Sequence, residues 1–319
     1  MEHRKLISFG KSSYVVSIPK GWVIQNKLKK GDLIYFEESG PNLVLASEKN
    51  PESNKEKVAV INVDGKSIKL IDREVSSAYI QNCRMITLKG KEIRSKVNEL
   101  QAIIQNLIAL EIMEQTSETI IAKDFLNMDT VSVQELIRKM DIVTRTMLTE
   151  TINMFNEDNS KGIAERDRDV DRLYFLLYRS ILFNLENPTN ALKKFKLKAI
   201  QLLMYNTCGF YIEGIADEAR RISRYINQLK ISRADKDEIE KLLNRINKFY
   251  LETMKSIYNG ELDLALALSN QKKEIMDLLT EVEARNIVVD NFVKAISRMR
   301  ILTSHIHNLG RVVYTISNY

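Results

Sequence analysis

Up to about residue 125 short strand-like apolar runs are interspersed with helical stretches; from Val131 onward the apolar positions recur at helical spacing almost throughout. Residues 4–18 hold two alternating runs around Gly10-Lys11-Ser12-Ser13, a turn composition. Pro19 stops the second run, and Gly21 to Leu28 makes one or two helical turns carrying Trp22, Val23 and Leu28. Lys30-Gly31-Asp32 turns into Leu33–Phe36, and Gly40-Pro41-Asn42 turns into Leu43–Leu45. Four strands this short do not make a stable isolated sheet. This front module is therefore expected to close by intertwining with a second copy. Residues 47–57 are polar throughout with Pro51, and read as a linker.

Strand patterns at Val58–Val63, Met85–Leu88, Ile112–Glu114 and Ile120–Ala122 alternate with amphipathic helices predicted over Lys66–Asn82 and from Glu92 to about Leu107. That order predicts a small α+β module with nothing catalytic standing out in it, a connector in the first place and a ligand-sensing module as the alternative. Beyond it the pattern is helical. Ser132 or Thr130 can cap a helix over 133–157, with Glu135 three residues after Ser132 as a capping-box signature. A second helix is predicted over 161–186, ending at Asn187-Pro188, and a third over 189–229. Ser232-Arg233-Ala234-Asp235 opens another to about 258, followed by 262–283 and 285–317. Residues 133–229 and 235–317 thus repeat one order of long, medium and long helix, and predict two tandem three-helix bundles.

The candidate chemistry sits on the second and third helices of the first repeat. Asp167/Asp171 and Glu213/Asp217 are each spaced four apart, which stacks two carboxylates about 5–6 Å apart on one helix face. Two such helices side by side gather four carboxylates, a plausible divalent or ferric ion site. The same residues also read as two solvated acidic faces braced by arginines: Arg220 beside Asp217, and Arg166, Arg168 and Arg172 around the first pair. On a helical wheel, Met204, Cys208, Ile212, Ile215, Ala219, Ile222 and Ile226 form the buried stripe. Glu213, Asp217 and Arg220 fall nearly opposite and are expected at or near the surface. Tyr174 and Tyr178 are expected to pack, and His305 and His307 to face different ways.

The 319 residues allow two or three domains, and 44% hydrophobic with 28% charged residues is ordinary for a globular protein. No run approaches a membrane span and no secretory signal is visible, so a cytoplasmic location is expected. Cys83 and Cys208 carry no disulfide or zinc spacing and read as buried thiols. The net charge of +6 is uneven: residues 1–30 hold seven bases, Arg4, Lys5, Lys11, Lys20, Lys27, Lys29 and Lys30, against Glu2. Seven minus one places +6 in that stretch and leaves the remainder near neutral. A basic front end is the footprint of a phosphate-backbone binder, and equally of a solvated surface.

The run V-V-S-I-P-K-G-W-V-I-Q-N-K-L-K-K-G-D-L-I-Y-F resembles the AbrB/MazE/SpoVT swapped-hairpin family, with its "IPK" after the second strand and "GD" before the third. The likeness covers residues 4–47. It implies a dimeric β-barrel that binds DNA through basic residues on its early loops and strands, here Arg4, Lys5, Lys11 and Lys20. The helical repeat resembles the PhoU family of phosphate-uptake regulators, whose third-helix signature, roughly E-R-I-G-D-x-A-x-x-I, reads E-G-I-A-D-E-A-R-R-I from Glu213 to Ile222. That resemblance implies metal clusters on the acidic motifs, with Asp167, Asp171, Glu213 and Asp217 as ligands. The second repeat departs from it: His307 and Arg311 stand where acids would, and Gln271-Lys272-Lys273 replaces them on the partner helix. At most one cluster per chain is expected, because an arginine beside a cation raises the electrostatic cost.

The expected architecture is therefore multidomain and mainly α. It comprises a dimeric swapped-hairpin barrel (1–47), an α+β connector (58–127) and PhoU-like three-helix bundles at 130–230 and 234–319. The expected function is DNA-binding transcriptional regulation of phosphate uptake, with a metal-binding sensor body. The alternative is an adaptor that regulates a phosphate ABC transporter ATPase or a sensor kinase without touching DNA. Enzymatic activity is the weakest reading, since no nucleophile–base pattern, Walker loop or G-x-G-x-x-G is present.

Overall fold

The computed structural model describes residues 3–11, 13–39, 42–47, 56–186, 191, 194–285 and 289–316. The chain divides into two compact units, residues 1–56 and 57–319. Most of the linker expected at 47–57 lies outside the described residues, as does the Asn187-Pro188 helix end.

The first unit is two hairpins and a short helix. Strands β1 (Ile7–Phe9) and β2 (Ser13–Val15) pair antiparallel, as do β3 (Ile34–Ser39) and β4 (Asn42–Ser47), and each hairpin is its own two-stranded sheet. Helix α1 (Lys20–Gln25) follows Pro19, whose fixed φ suits the residue before a helix. The turn into β3 is held by the Lys29 amide donating to Asp32 Oδ2 at 2.7 Å, with Gly31 at φ +96°, a left-handed conformation that disfavours other residues. None of its described residues is buried. Phe9, Tyr14 and Ile24 keep 71%, 70% and 65% of their surface exposed. The barrel expected from the sequence is not closed within one chain.

The second unit opens with the α+β module. Strands β5 (Val58–Asn62), β6 (Met85–Lys89), β7 (Leu110–Gln115) and β8 (Thr119–Asp124) form one sheet in the order β5-β6-β8-β7. The β5–β6 pair is parallel and joined through α2 (Ile68–Ile80); the others are antiparallel. Ser67 caps α2 by accepting from the Leu70 amide, and Ile71, Val75, Ala78 and Tyr79 form its buried face. They pack with Ile93, Leu100 and Ile104 of α3 (Ile93–Gln105) over Ile86, Leu88, Ile120 and Ala122 of the sheet.

Six long helices make the body: α4 (Val133–Asn153), α5 (Ser160–Glu186), α6 (Ala199–Ile226), α7 (Arg233–Asn259), α9 (Gln271–Arg285) and α10 (Asp290–Ile316), with the short α8 (Leu262–Leu268) preceding α9. Ser132 accepts from the Glu135 amide at 3.3 Å and starts α4, and Ser232 does the same for α7 with the Asp235 amide at 3.1 Å. Gly260, at φ +65°, ends α7 in the left-handed conformation favoured after helices. The two repeats share one apolar core running from Met128 to Val312. Their third helices, α6 and α10, pack along each other more extensively than any other helix pair, while α6 also contacts α4 and α5.

Several boundaries differ from the sequence expectation; the last helix, expected from 285, begins at Asp290, and three other differences have a visible cause or site. The third helix starts at Ala199, ten residues later than expected, because Lys196 adopts φ +55° and Lys198 is extended. The stretch expected as one helix over 262–283 breaks at Ser269-Asn270 into α8 and α9. Helix α4 ends at Asn153 and not at 157. Among the described residues no helix is long and apolar enough to cross a membrane. Cys83 and Cys208 are both free and buried, and burial pushes the Cys208 thiol up to about 12.

Candidate functional site

Helices α5 and α6 lie antiparallel, so Asp167 pairs in height with Arg220, while Tyr174 and Leu177 come opposite Gly209. A Cβ on Gly209 would stand 2.2 Å from Leu177 Cδ2, so the glycine is what lets the two helices approach. The close approach sets the two acidic pairs against each other: Asp171 feels Asp167 and Asp217, and Glu213 feels all three.

The cluster has two poles. At one, Arg220 donates to Asp167 Oδ2 at 2.9 Å from one amino group and to Asp217 from the other. Arg221 also holds Asp217, at 2.5 Å, and reaches Glu218. Burial raises the Asp167 carboxyl above its ordinary range and Arg220 opposes the rise. At the other pole, one turn away, Asp171 and Glu213 make no ion pair or hydrogen bond to any described residue. Burial, reinforced by Asp167, pushes Asp171 up to about 6. Burial, reinforced by Asp171, Asp217 and Asp167, pushes Glu213 up to about 7.

The sequence expectations for this site are met unevenly. The four carboxylates lie on facing helices within electrostatic reach of one another. Glu213, Asp217 and Arg220 are half-buried, however, and not at the surface. The helical wheel allows a helix one partner, whereas α6 has α4, α5 and α10 around it. The bracing arginines also differ. Arg166 pairs with Glu150 at 3.0 Å and Arg172 approaches Asp169 at 3.7 Å, so Arg220, from the opposite helix, neutralises the first motif. Tyr174 and Tyr178 stack with ring centroids 6.5 Å apart. His305 lies against Gly214 and the Tyr211 ring, while His307 lies with Phe249 and Thr253, so the two histidines face different ways.

As a cation site, the arrangement divides in the same way. Asp167 and Asp217 already have guanidinium partners. Asp171 and Glu213 are a half-buried pair of oxygen donors carrying a mutual repulsion that a cation would relieve. Among the described residues no three His, Cys, Asp or Glu side chains converge as a ready ligand set. The pair would offer two oxygen donors to a hard cation, with water completing its shell, whereas four protein carboxylates on one ion do not fit this arrangement.

Four buried charged residues were not anticipated: Glu218, Asp141, Arg179 and its partner Asp124. Glu218 is 2% exposed; Arg221 holds its Oε1, Arg298 of α10 lies 3.6 Å away, and its Oε2 is without a partner. Asp141, on α4, accepts from the Tyr250 hydroxyl at 2.9 Å and the Tyr258 hydroxyl at 2.8 Å, both from α7, and from Arg145. Arg179, fully buried on α5, ties the body to the α+β module: it reaches Asp124 at 2.5 Å and Asn82 Oδ1 at 2.9 Å, and its guanidinium lies 4.4 Å from the Tyr79 ring. Each could have been suspected as a charge inside an apolar stripe, as Arg179 stands between Leu177 and Ile181.

The basic positions of the first unit, Arg4 and Lys5 before β1, Lys11 in the hairpin turn and Lys20 opening α1, are all exposed.

Comparison with known proteins agrees with this anatomy. Residues 137–226, which span α4 to α6, match the PhoU domain family. Residues 7–53 match the family described as antidote-toxin recognition MazE, bacterial antitoxin. No curated protein sequence matches. The crystal structure of PhoU from Pseudomonas aeruginosa aligns with a TM-score of 0.50 at 16% identity, covering 59% of this chain and 96% of that one. The family match ends with the first repeat, the half that carries the acidic signature. The chain thus carries a PhoU domain, in a PhoU-like helical fold, behind a MazE/AbrB-like N-terminal domain.

Proposed function

We propose that this protein is a DNA-binding regulator of phosphate uptake, non-enzymatic and cytoplasmic, in which the helical body senses state and the N-terminal unit grips DNA as a homodimer. The observation that carries the reading is the character of that first unit. It places seven bases against one acid in thirty residues, buries none of its described apolar side chains and leaves most of them exposed, Leu6, Phe9 and Tyr14 among them. Exposed apolar surface on this scale calls for a covering partner, and the MazE likeness makes a second copy the natural one. Two copies would present Arg4, Lys5, Lys11 and Lys20 twice over.

Fluorescence anisotropy with phosphate-transporter promoter DNA tests this. Eight phosphate contacts set an upper bound of about −7 on the slope of log affinity against log salt, at about 0.9 per contact. Undetectable binding at low salt rejects the proposal. Charge reversal by Lys5→Glu with Lys11→Glu separates it from the adaptor reading. DNA binding and phosphate-dependent regulation are lost together if the head grips DNA, and regulation survives if the head only dimerises.

For the body, Asp171 and Glu213 would hold a divalent or ferric ion, whose charge would replace protons as the neutraliser of their repulsion. Elemental analysis of purified wild type against Asp171→Asn/Glu213→Gln checks this: metal in the first and none in the second is expected, and equal content refutes it.

A further inference from the structure

A cleft of about 380 Å³ opens where the α+β module meets the first bundle. Its apolar walls are Ile108, from the turn between α3 and β7, with Ile142 and Val143 of α4 and Leu173 of α5. Lys139 of α4 and Arg172 and Asp169 of α5 line the same cleft, two cations against one carboxylate. Small-molecule sites have this make-up: a concave apolar lining and a few polar groups that fix orientation.

The state of the two cations points to the ligand. Lys139 makes no ion pair among the described residues. Arg172 has only Asp169, on its own helix and also lining the cleft, at a long 3.7 Å, and its Nε is buried without an acceptor. Neighbouring arginines are better served: Arg145, Arg166, Arg179 and Arg220 each hold a carboxylate at 2.5–3.0 Å. A half-exposed guanidinium whose one buried N–H lacks an acceptor, beside a lysine with no ion pair among the described residues and next to apolar walls, is a receptor for an anion that carries an apolar group. The walls are also held in place. The Ile108 carbonyl accepts from the Tyr79 hydroxyl at 3.0 Å, and the Tyr79 ring lies against Arg179. The site is thus largely formed before anything binds.

We infer that this cleft binds a small amphipathic anion, a carboxylate or phosphate ester with a compact apolar tail, whose charged end meets Arg172 and Lys139 and whose tail lies against Ile108, Ile142 and Leu173. The ligand spans the seam between module and bundle, so it favours the arrangement in which the two are docked. This assignment is independent of the cation pair and of DNA binding.

Calorimetric titration of the full chain with octyl phosphate, octanoate, inorganic phosphate and 1-octanol tests it. Saturable binding of octyl phosphate or octanoate is expected, and the tighter of the two identifies the head group. Arg172→Gln should weaken that binding about tenfold or more, the loss of a charge-assisted bond. Lys139→Gln, at an exposed position that folding does not depend on, should weaken it less. Arg73→Gln, which alters a separate cleft between α2 and α5, should leave it unchanged. The inference is overturned if neither anion saturates, if Arg172→Gln and Lys139→Gln both bind as wild type does, or if 1-octanol or inorganic phosphate alone binds as tightly as the amphipathic anions.

Discussion

Asp124 and Arg179, both fully buried, provide the sharpest energetic test of how the α+β module is fixed to the helical body. Asp124→Asn keeps the side chain's size and its oxygen for the Leu126 amide, which it now accepts at 3.0 Å, and deletes only the charge. Arg179 is then left buried with Asn82 and the Tyr79 ring as its remaining partners. Removing one member of a buried pair costs about 3–5 kcal/mol, and the surviving contacts point to the lower end, about 3 kcal/mol. The reverse change, Arg179→Met, should cost less. Asp124 then retains Arg84, at 2.8 Å with about a third of its side chain exposed, so its charge is not stranded. Combining the two should recover most of the Asp124→Asn loss, because no buried charge remains unpaired. Urea unfolding read by far-UV circular dichroism follows the helical body, since the sole tryptophan, Trp22, reports on the first unit. With a slope near 3 kcal/mol per molar urea, Asp124→Asn should lower the midpoint by about 1 M. A loss below about 1 kcal/mol, or a double variant as unstable as Asp124→Asn alone, would show that the pair does not hold the module in place.

Three further outcomes are expected. Glu213 and Asp171 have folded-state values, about 7 and about 6, above their ordinary 4.5 and 3.8, so between roughly pH 4 and 7 the folded state binds more protons than the unfolded one. Stability should therefore be greatest below that window and fall as pH rises through it. Glu213→Gln should flatten the fall and stabilise the metal-free protein at pH 7.5 by about 1–3 kcal/mol, and an unchanged pH profile counts against the clustering. Tyr250→Phe and Tyr258→Phe each remove a hydrogen bond to the buried Asp141 carboxylate and should cost about 1.5–3 kcal/mol in thermal unfolding, more for the fully buried Tyr250; a smaller loss at Tyr250 refutes the ranking. Gly209→Ala forces Leu177 aside and should cost about 1–3 kcal/mol, whereas Gly21→Ala, with nothing near its added carbon, should be close to neutral in the same assay.

The order and type of elements were legible because they depend on local signals. Ser132 and Ser232 cap helices where the sequence places caps, and Gly260 ends one. What could not be read depends on partners distant in sequence. Nothing in Ala-Leu-Lys-Lys-Phe-Lys-Leu-Lys at 191–198 marks a break, since no glycine or proline is present, yet Lys196 turns left-handed there. The acid spacing at Asp167/Asp171 and Glu213/Asp217 located the cluster, but spacing does not say which arginine answers which acid. Arg220 crosses to Asp167 instead of bracing only its own helix. The Arg179–Asp124 pair joins residues 55 apart in sequence, beyond any periodicity argument.

The contrast between the two units has a consequence for how the protein depends on its own abundance. The body has a core of its own, so its folding is unimolecular and indifferent to copy number. On the proposed homodimeric reading, the head, with no described side chain buried, would draw its folding free energy from association, and mass action would tie its folded fraction to chain concentration. At low expression such a chain would carry a folded body and no assembled head, an abundance threshold that no ligand sets.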